Sequence, residues 1–571
     1  MRWIERPLGD EHLTAQLHHS LNENPNKPVA YWVSQLLASR HVTTYDQAKA
    51  FFVPRLEALH DPFLMQDMGK AVSRIEQALQ QGETILVYGD YDVDGTTAVA
   101  LMYEYLSSLG GSCAFYIPDR YTEGYGLSEQ GIRFADDNRF SLIIALDCGV
   151  KAFDSISLAV ELEIDVIVCD HHRPESQLPN AFAVLDPLRN DCSYPFKGLC
   201  GCGVGFKLAQ ALEQNAGRGL DRLVPYLDLV AIAIGADVVS VAGENRILAF
   251  HGVEQIKQNP RPGIKALLGN KPVRDAHLSD FNFSIAPKIN AAGRMDHGLR
   301  AVQLLTATDT GPIEQFSQDL HDLNTTRRST ERRMVDEALE MAEDVADDLA
   351  LVLYHPDWHK GIVGLIAQRV AERFYRPVVA FTEHEGVLSG SARSAPGLDL
   401  YAALDDASAH LIQFGGHKAA AGMTCMPENL DEFRIALNAA VDRRWPEAMR
   451  QPQISVDVVL RIDEVTPRLL TLQDRLEPFG VGNPAPVWGV RGVELAYTKK
   501  VGAEGEHLQV ELFDPFRQRS LRGIYFQWGD DAVPEGLVDA AFQLSWNEYR
   551  GERSVQARLL DLQPTSGQAY L

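Results

Sequence analysis

The sequence predicts a multidomain α/β protein: a parallel-sheet domain, a long bridging helix, a second α/β domain and a small C-terminal β barrel. Three observations predict it. Short apolar strand-like segments alternate with helical ones between about residues 83 and 187. A single helical pattern runs over roughly 312–349. Period-two alternation dominates the last ~120 residues. At 571 residues the chain also exceeds what one hydrophobic core usually serves.

Taken in order, residues 1–80 read as an N-terminal helical extension, with helix-like stretches around Val29–Ser39 and Tyr45–Phe52. The segment ETILVYGD (83–90) is a strand, and TTAVALMYEYLSSL (96–109) a helix that stops at two glycines. Further strands are expected at CAFYIPDR (113–120), SLIIALDCG (141–149), DVIVCDHH (165–172) and AFAVLDP (181–187). This alternation implies a doubly wound parallel sheet within a domain of residues 81–240. It ends on a buried helix in PYLDLVAIAIGADVV (225–239). A connecting region, 241–349, carries the long helix, with Pro312 in its first turn and Arg327, Arg328, Arg332 and Arg333 in its middle. A second α/β unit covers 350–448, with Gly-rich SGSARSAPG read as a loop and FGGHKAAAGM beyond it. In 449–571, HLQVELF, AAFQLSW and SVQARLL alternate and NEYRGE is a hairpin turn, which fits an OB-like barrel.

Bulk properties exclude some classes. The formal charge of −25 argues against indiscriminate nucleic-acid binding, although a local basic track is compatible with it. No apolar run reaches the ~20 residues of a membrane-spanning helix. The N-terminus lacks the apolar core of a secretion signal. A cytoplasmic protein without membrane association is therefore expected. Seven unevenly spaced cysteines argue against a disulfide framework, and Cys192, Cys200 and Cys202 lack the paired spacing of a zinc site.

The chemistry concentrates at predicted strand ends. Asp90, Asp92 and Asp94 follow the first strand, Asp147 ends another, and Asp170, His171 and His172 end a third. In an open α/β sheet these tips converge on one crevice, which Asp237 closes from the buried helix. Carboxylates and imidazoles without cysteine suit Mn²⁺ or Mg²⁺. Two such ions about 3.5–4 Å apart activate water and stabilise both oxygens of a displacement at phosphorus, with Asp147 the candidate bridge. Asp170 is expected to orient a histidine from behind. Read singly, DYDVDG is also an ordinary acidic turn, and as a calcium loop it lacks the twelfth-position Glu, because Leu101 stands there.

In order, YGDYDVDGTTA, PDRYTEGYG, ALDCG, CDHH and GADVV resemble the DHH phosphoesterase superfamily. FGGHKAAAGM resembles its companion DHHA1 domain. The order of parts, with PKINAAGRM in the middle and a β domain at the end, is similar to the bacterial branch of single-strand-specific 5′→3′ DNA exonucleases. The resemblance implies that Asp92, Asp94, Asp147, His171 and Asp237 ligate Mn²⁺ or Mg²⁺, with Asp90 beside them, and that His172 is a ligand or bonds the scissile phosphate. It implies a 5′-phosphate pocket at Arg120, Arg294 and Arg393, with Ser391 and Ser394. It also implies a role in DNA repair and recombination, with a single-strand binding protein and a RecQ-like helicase as partners. A monomer is expected. Tyr121 is a candidate stacking residue, beside Tyr125, which is as readily core. His417 sits in a glycine-rich wall that serves either packing or close backbone approach. Lys499, Lys500, Arg517, Arg519 and Arg522 offer the barrel a basic track, mixed with Tyr525, Trp528, Trp546 and Tyr549. Two rivals are open: a phosphodiesterase of short oligonucleotides or cyclic dinucleotides, and a catalytically inactive replication scaffold.

Overall fold

The computed structural model describes residues 1–6, 10–23, 28–529, 532–549 and 552–565. The chain opens on β1 (Arg2–Glu5), followed by helices Glu11–Leu21, Tyr31–Ala38, Tyr45–Phe52 and Met68–Gln81. Thr44 and Gln47 form a reciprocal capping box that sets the start of the third helix.

Five parallel strands follow: β2 (Thr84–Gly89), β3 (Ser112–Tyr116), β4 (Leu142–Leu146), β5 (Asp165–Cys169) and β6 (Ala183–Leu185), in the order β3-β2-β4-β5-β6. Both sheet faces are covered, so the strands are continuously apolar rather than alternating. Ile85, Val87, Leu142 and Ile144 pack under helices Met68–Gln81, Val93–Ser108, Gly201–Asn215 and Leu227–Ala236. Leu86, Tyr88, Ile143 and Ala145 pack under Glu129–Asp137 and Phe153–Glu161. The strand order reverses direction between β2 and β4, and a crevice opens at such a switch point.

The long helix spans Thr310–Asp344. Its Leu320 joins the core of the first unit, whereas Met334, Ala338 and Ala342 join a core of the second. One rigid rod of about 50 Å thus connects the two units.

The second unit holds β7 (Leu351–Tyr354), β8 (Val378–His384), β9 (Val387–Arg393), β10 (Gln413–His417) and β11 (Ala420–Cys425) in the order β10-β11-β9-β8-β7, parallel only between β7 and β8. Here the loop expected at SGSARS is corrected: Val387–Arg393 is a strand with alternating burial, paired on both sides. Its small residues hid the alternation, because Ser and Gly carry little hydropathy contrast. Gly390 is required there: a Cβ would lie 2.4 Å from the Phe381 ring.

Beyond β12 (Gln453–Val456) and β13 (Val458–Val459), the chain forms β14 (Trp488–Val501), β15 (His507–Asp514), β16 (Arg519–Tyr525), β17 (Leu537–Tyr549) and β18 (Glu552–Pro564). Pairing of β14 with β17 closes these last five strands into a barrel, which removes exposed edges. The expected NEYRGE turn has its tip, 550–551, outside the described residues.

The elements of the first 80 residues are divided between two cores. β1 pairs in parallel with β12. Leu17, Val33, Leu36, Leu37, Ala48 and Phe51 share one core with the barrel, and Trp32 meets Trp488 edge to face at 5.3 Å. Met68–Gln81 belongs instead to the first α/β core. Helical periodicity marks an apolar face but does not say which partner covers it.

Candidate metal centre and arginine cluster

The tips of β2, β4 and β5 converge as the strand order requires. Asp92 caps the helix Val93–Ser108, accepting from the Asp94 N–H at 2.9 Å. Asp94, in the first turn of that helix and 1% exposed, accepts from the Gly201 and Cys202 N–H groups at 2.6 and 2.8 Å, at the start of another helix. Asp147 takes a left-handed backbone (φ 59°) at the end of β4, a conformation that favours Gly or Asn. Its N–H donates to the Cys169 carbonyl at 2.9 Å, fixing the turn. Gly201 allows this crowding, because a Cβ there would lie 2.5 Å from that of Asp147.

His171 Nε2 stands 3.1 Å from Asp147 Oδ1 and 3.7 Å from both Asp94 Oδ2 and Asp237 Oδ2. Asp237 ends the helix Leu227–Ala236 as expected from its position. Three groups of donors lie close enough to hold a cation: Asp94, His171 and Asp237; Asp147, His171 and His172; Asp90, Asp92 and Asp147. Asp147 and His171 each occur in two of them, and of the two only the carboxylate has a pair of oxygens with which to bridge. Asp170 does not enter the groups. It accepts from the N–H groups of Val150, His171 and His172 and from His172 Nδ1 at 2.8 Å, which fixes the His172 tautomer.

The electrostatics suit bound cations. Both carboxylate oxygens of Asp90, Oδ1 of Asp147 and Nε2 of His171 are buried without an aligned hydrogen bond; the 3.1 Å approach of the last two is close but not directed. Burial pushes the pKa values of Asp90 and Asp147 well above the ordinary carboxylate value, and neighbouring aspartates add to it. Asp237 rises to about 9, from burial first and then from Asp94 and Asp92. For His172, burial opposes the charged form, but the Asp170 carboxylate outweighs it and raises the pKa to about 9. Acids forced together and left without partners fit an O/N site for Mn²⁺ or Mg²⁺.

A second cluster adjoins the first. The Arg120 guanidinium lies 5.0 Å from the ring centroid of Tyr91, the residue between Asp90 and Asp92. Arg294 donates to the Gly361 carbonyl at 2.9 Å, and burial followed by Arg120, Arg327 and Arg393 pushes its pKa down to about 10. Arg393 donates to Ser391 Oγ at 2.9 Å and to the Ala392 carbonyl. Among the described residues no carboxylate pairs with Arg120, Arg294 or Arg393. Tyr121 joins the cluster, its hydroxyl donating to the Arg294 carbonyl and its ring edge meeting His359. Tyr125 is exposed rather than core, and its hydroxyl donates to the Asp147 carbonyl at 3.0 Å.

Other expected contacts fall elsewhere. The Ser394 hydroxyl is engaged by the Ala395 and Leu398 carbonyls. His417 is exposed at the end of β10. Lys499, Lys500, Arg517, Arg519 and Arg522 are exposed on the barrel, where Arg517 pairs with Asp514 at 3.0 Å. Trp528 is buried in the barrel core, Trp546 donates to Asp474 and Tyr525 to the Leu560 carbonyl. The Tyr549 side chain lies outside the described residues.

Sequence reasoning missed Asp186, Arg327 and His359. Asp186 follows β6, has one buried unpartnered oxygen, and is raised to about 7 by burial. The strand-tip rule that found Asp147 would have found it. Arg327 stands out only as one of four arginines on the long helix, with no place in the site, and nothing local marks His359; a helix and a loop bring them in from other parts of the chain.

Such a donor set at the switch point of a doubly wound sheet, beside arginines that lack acids, defines a metal-dependent phosphoesterase. Family models agree: DHH family, N-terminal domain, matches residues 84–234, the DHHA1 domain 347–443 and the RecJ OB domain 456–561. The chain belongs to the RecJ family. It is 36% identical to the single-stranded-DNA-specific exonuclease RecJ of Bacillus subtilis, over 100% of this chain and 72% of that one. It is 35% identical to the Escherichia coli protein of that name, over 87% and 90%. The crystal structure of Thermus thermophilus RecJ in complex with Mn²⁺ matches with a TM-score of 0.84 at 28% identity, covering 99% of this chain and 80% of that one. The Mg²⁺ complex matches with a TM-score of 0.78 at 26% identity.

Proposed function

We propose that this protein is a single-stranded-DNA-specific exonuclease that removes 5′-mononucleotides stepwise from the 5′ end. One observation carries the reading: a carboxylate-free arginine cluster joins the candidate metal centre through Tyr91. A terminal phosphate has more negative charge than an internal one, and guanidinium groups recognise it by charge and geometry. The cluster is therefore a stop at which a strand end seats, with the next phosphodiester over the metal centre.

Asp90, Asp92, Asp94, Asp147, His171 and Asp237 would hold two divalent cations, which supply Lewis acidity at phosphorus and activate water. Helix N–H groups hold Asp94 in place. Asp170 holds His172 by Nδ1, leaving Nε2 for the scissile phosphate. Arg120, Arg294 and Arg393 clamp the terminal phosphate. The water oxygen joins phosphorus and the 3′ oxygen leaves with a proton, giving a 5′-mononucleotide and a shortened strand with a new 5′-phosphate.

Single strands are transient, so such an enzyme works downstream of unwinding. The family resemblance supplies a RecQ-like helicase and a single-strand binding protein as the proposed partners, and a cytoplasmic monomer is proposed with them. No helix among the described residues is long and apolar enough to cross a membrane.

The test uses single strands labelled at the 5′ or the 3′ end, with and without Mn²⁺. Labelled mononucleotide should appear at once from the 5′ label, only with the metal. Early release from the 3′ label would refute the polarity, and metal-independent release the mechanism.

A further inference from the structure

Between Leu278 and Met295 the backbone departs from a regular α-helix: Phe281–Ile285 forms a π-helical turn, a local distortion common at functional positions. Phe281 and Ile285 are fully buried and anchor it, while Phe283 between them is 78% exposed and joins no hydrophobic core. This large aromatic ring stands at a particular place. It lines a cleft of about 1100 Å³ whose walls include Lys288, Arg294, Arg327, Arg328, Arg332 and Arg369, with Glu331 the acid among them. It also lines an adjoining apolar recess of about 310 Å³ that includes Val238 and Val481. Ala236 lines the first and Val238 the second, so the ring borders two surfaces lined by the residues on either side of Asp237 in the chain. Val238 is itself 64% exposed and has φ 59°, which is unfavourable for a β-branched residue.

We infer that Phe283 is a stacking platform for one base of the single strand in the cation-lined cleft. This inference rests on the nuclease reading above and adds a positioning residue to it. Charge complementarity selects the occupant. On a chain of net charge −25, a cleft lined by so many cations takes a polyanion, and an aromatic ring in its wall meets the part that is flat and apolar. A base in a duplex has both faces covered by its neighbours, whereas a base of a single strand offers one to the ring. The contact therefore favours single strands without reading their sequence.

The test compares wild type with Phe283→Ala, Phe283→Leu and Phe283→Trp on 5′-phosphorylated single strands in Mn²⁺. A second series places one abasic site at successive positions from the 5′ end. Phe283→Ala should raise KM about tenfold, the order expected for loss of one stack, with a smaller effect on kcat. Trp should restore KM and Leu should not. In wild type one abasic position should weaken cleavage more than its neighbours, and in Phe283→Ala that position should lose its distinction. An unchanged KM in Phe283→Ala, equal restoration by Leu and Trp, or an abasic profile that ignores the substitution would overturn the inference. Thermal unfolding of each variant separates these results from misfolding. Should wild type release no nucleotide at all, the nuclease reading fails; binding of labelled single strands by the same variants, followed by anisotropy, then decides the stacking contact on its own.

Discussion

The aspartates of the metal centre carry the sharpest consequences. Asp147 is shared between two donor groups and buried among acids. Asp147→Ala is expected to abolish cleavage while binding of single-stranded DNA, measured by anisotropy, remains. The same burial makes stability depend on pH. Asp90, Asp94, Asp147 and Asp237 hold protons in the folded state at pH values where the unfolded chain has released them. His172, raised to about 9, likewise binds a proton more tightly when folded. For every one of these groups the folded state binds more protons, so stability of the chelated protein should fall as pH rises from about 4 towards 9. Bound cations remove the reason for protonation. The rise in Tm that Mn²⁺ produces should therefore grow over the same range, and a rise independent of pH would contradict the assignment of these groups to the site.

Elements, not single residues, bring the donors together. The Gly201–Asn215 helix presses its first turn against Asp147 and Asp94 at once. Gly201→Ala places a methyl where the Asp147 side chain stands and should lower cleavage about a hundredfold, with weaker Mn²⁺ affinity by titration and little loss of helix content. Much at this scale was legible in the sequence. Apolar runs ending in Asp or His identified β2, β4 and β5 as the strands of a crevice, since burial on both faces leaves polar groups only at the tips. Other elements gave weaker signals. The alternation of β9 is carried by Ser, Gly and Ala, too similar in hydropathy to mark a strand, and Arg393 therefore looked like a loop residue. The π turn that exposes Phe283 has no compositional mark, because its register is set by the two buried residues beside it. Arg294 and Arg393 were found by residue type, but only the long helix and the second sheet explain why they meet.

At the scale of the whole molecule, the first α/β unit, the N-terminal helices and the barrel are joined by buried arginines. Arg246 donates to the carbonyls of Phe51, Leu476 and Glu477, with its guanidinium 3.6 Å from the Phe51 ring centroid. Arg40 donates to Asn483 and to the Pro484 carbonyl on the same connecting segment. Arg246→Ala leaves three carbonyls without their donor and should destabilise the protein by on the order of 3 kcal/mol, seen as a lower denaturant midpoint. The placement of Trp32 against Trp488 also bears on how the protein is made. At about 5–20 residues per second, a ribosome emits Trp488 roughly 20 to 90 seconds after Trp32. For that interval the early helices have no barrel to cover them. Synthesis halted before β12 would leave a greasy, strand-seeking amino terminus for chaperones to hold or proteases to remove.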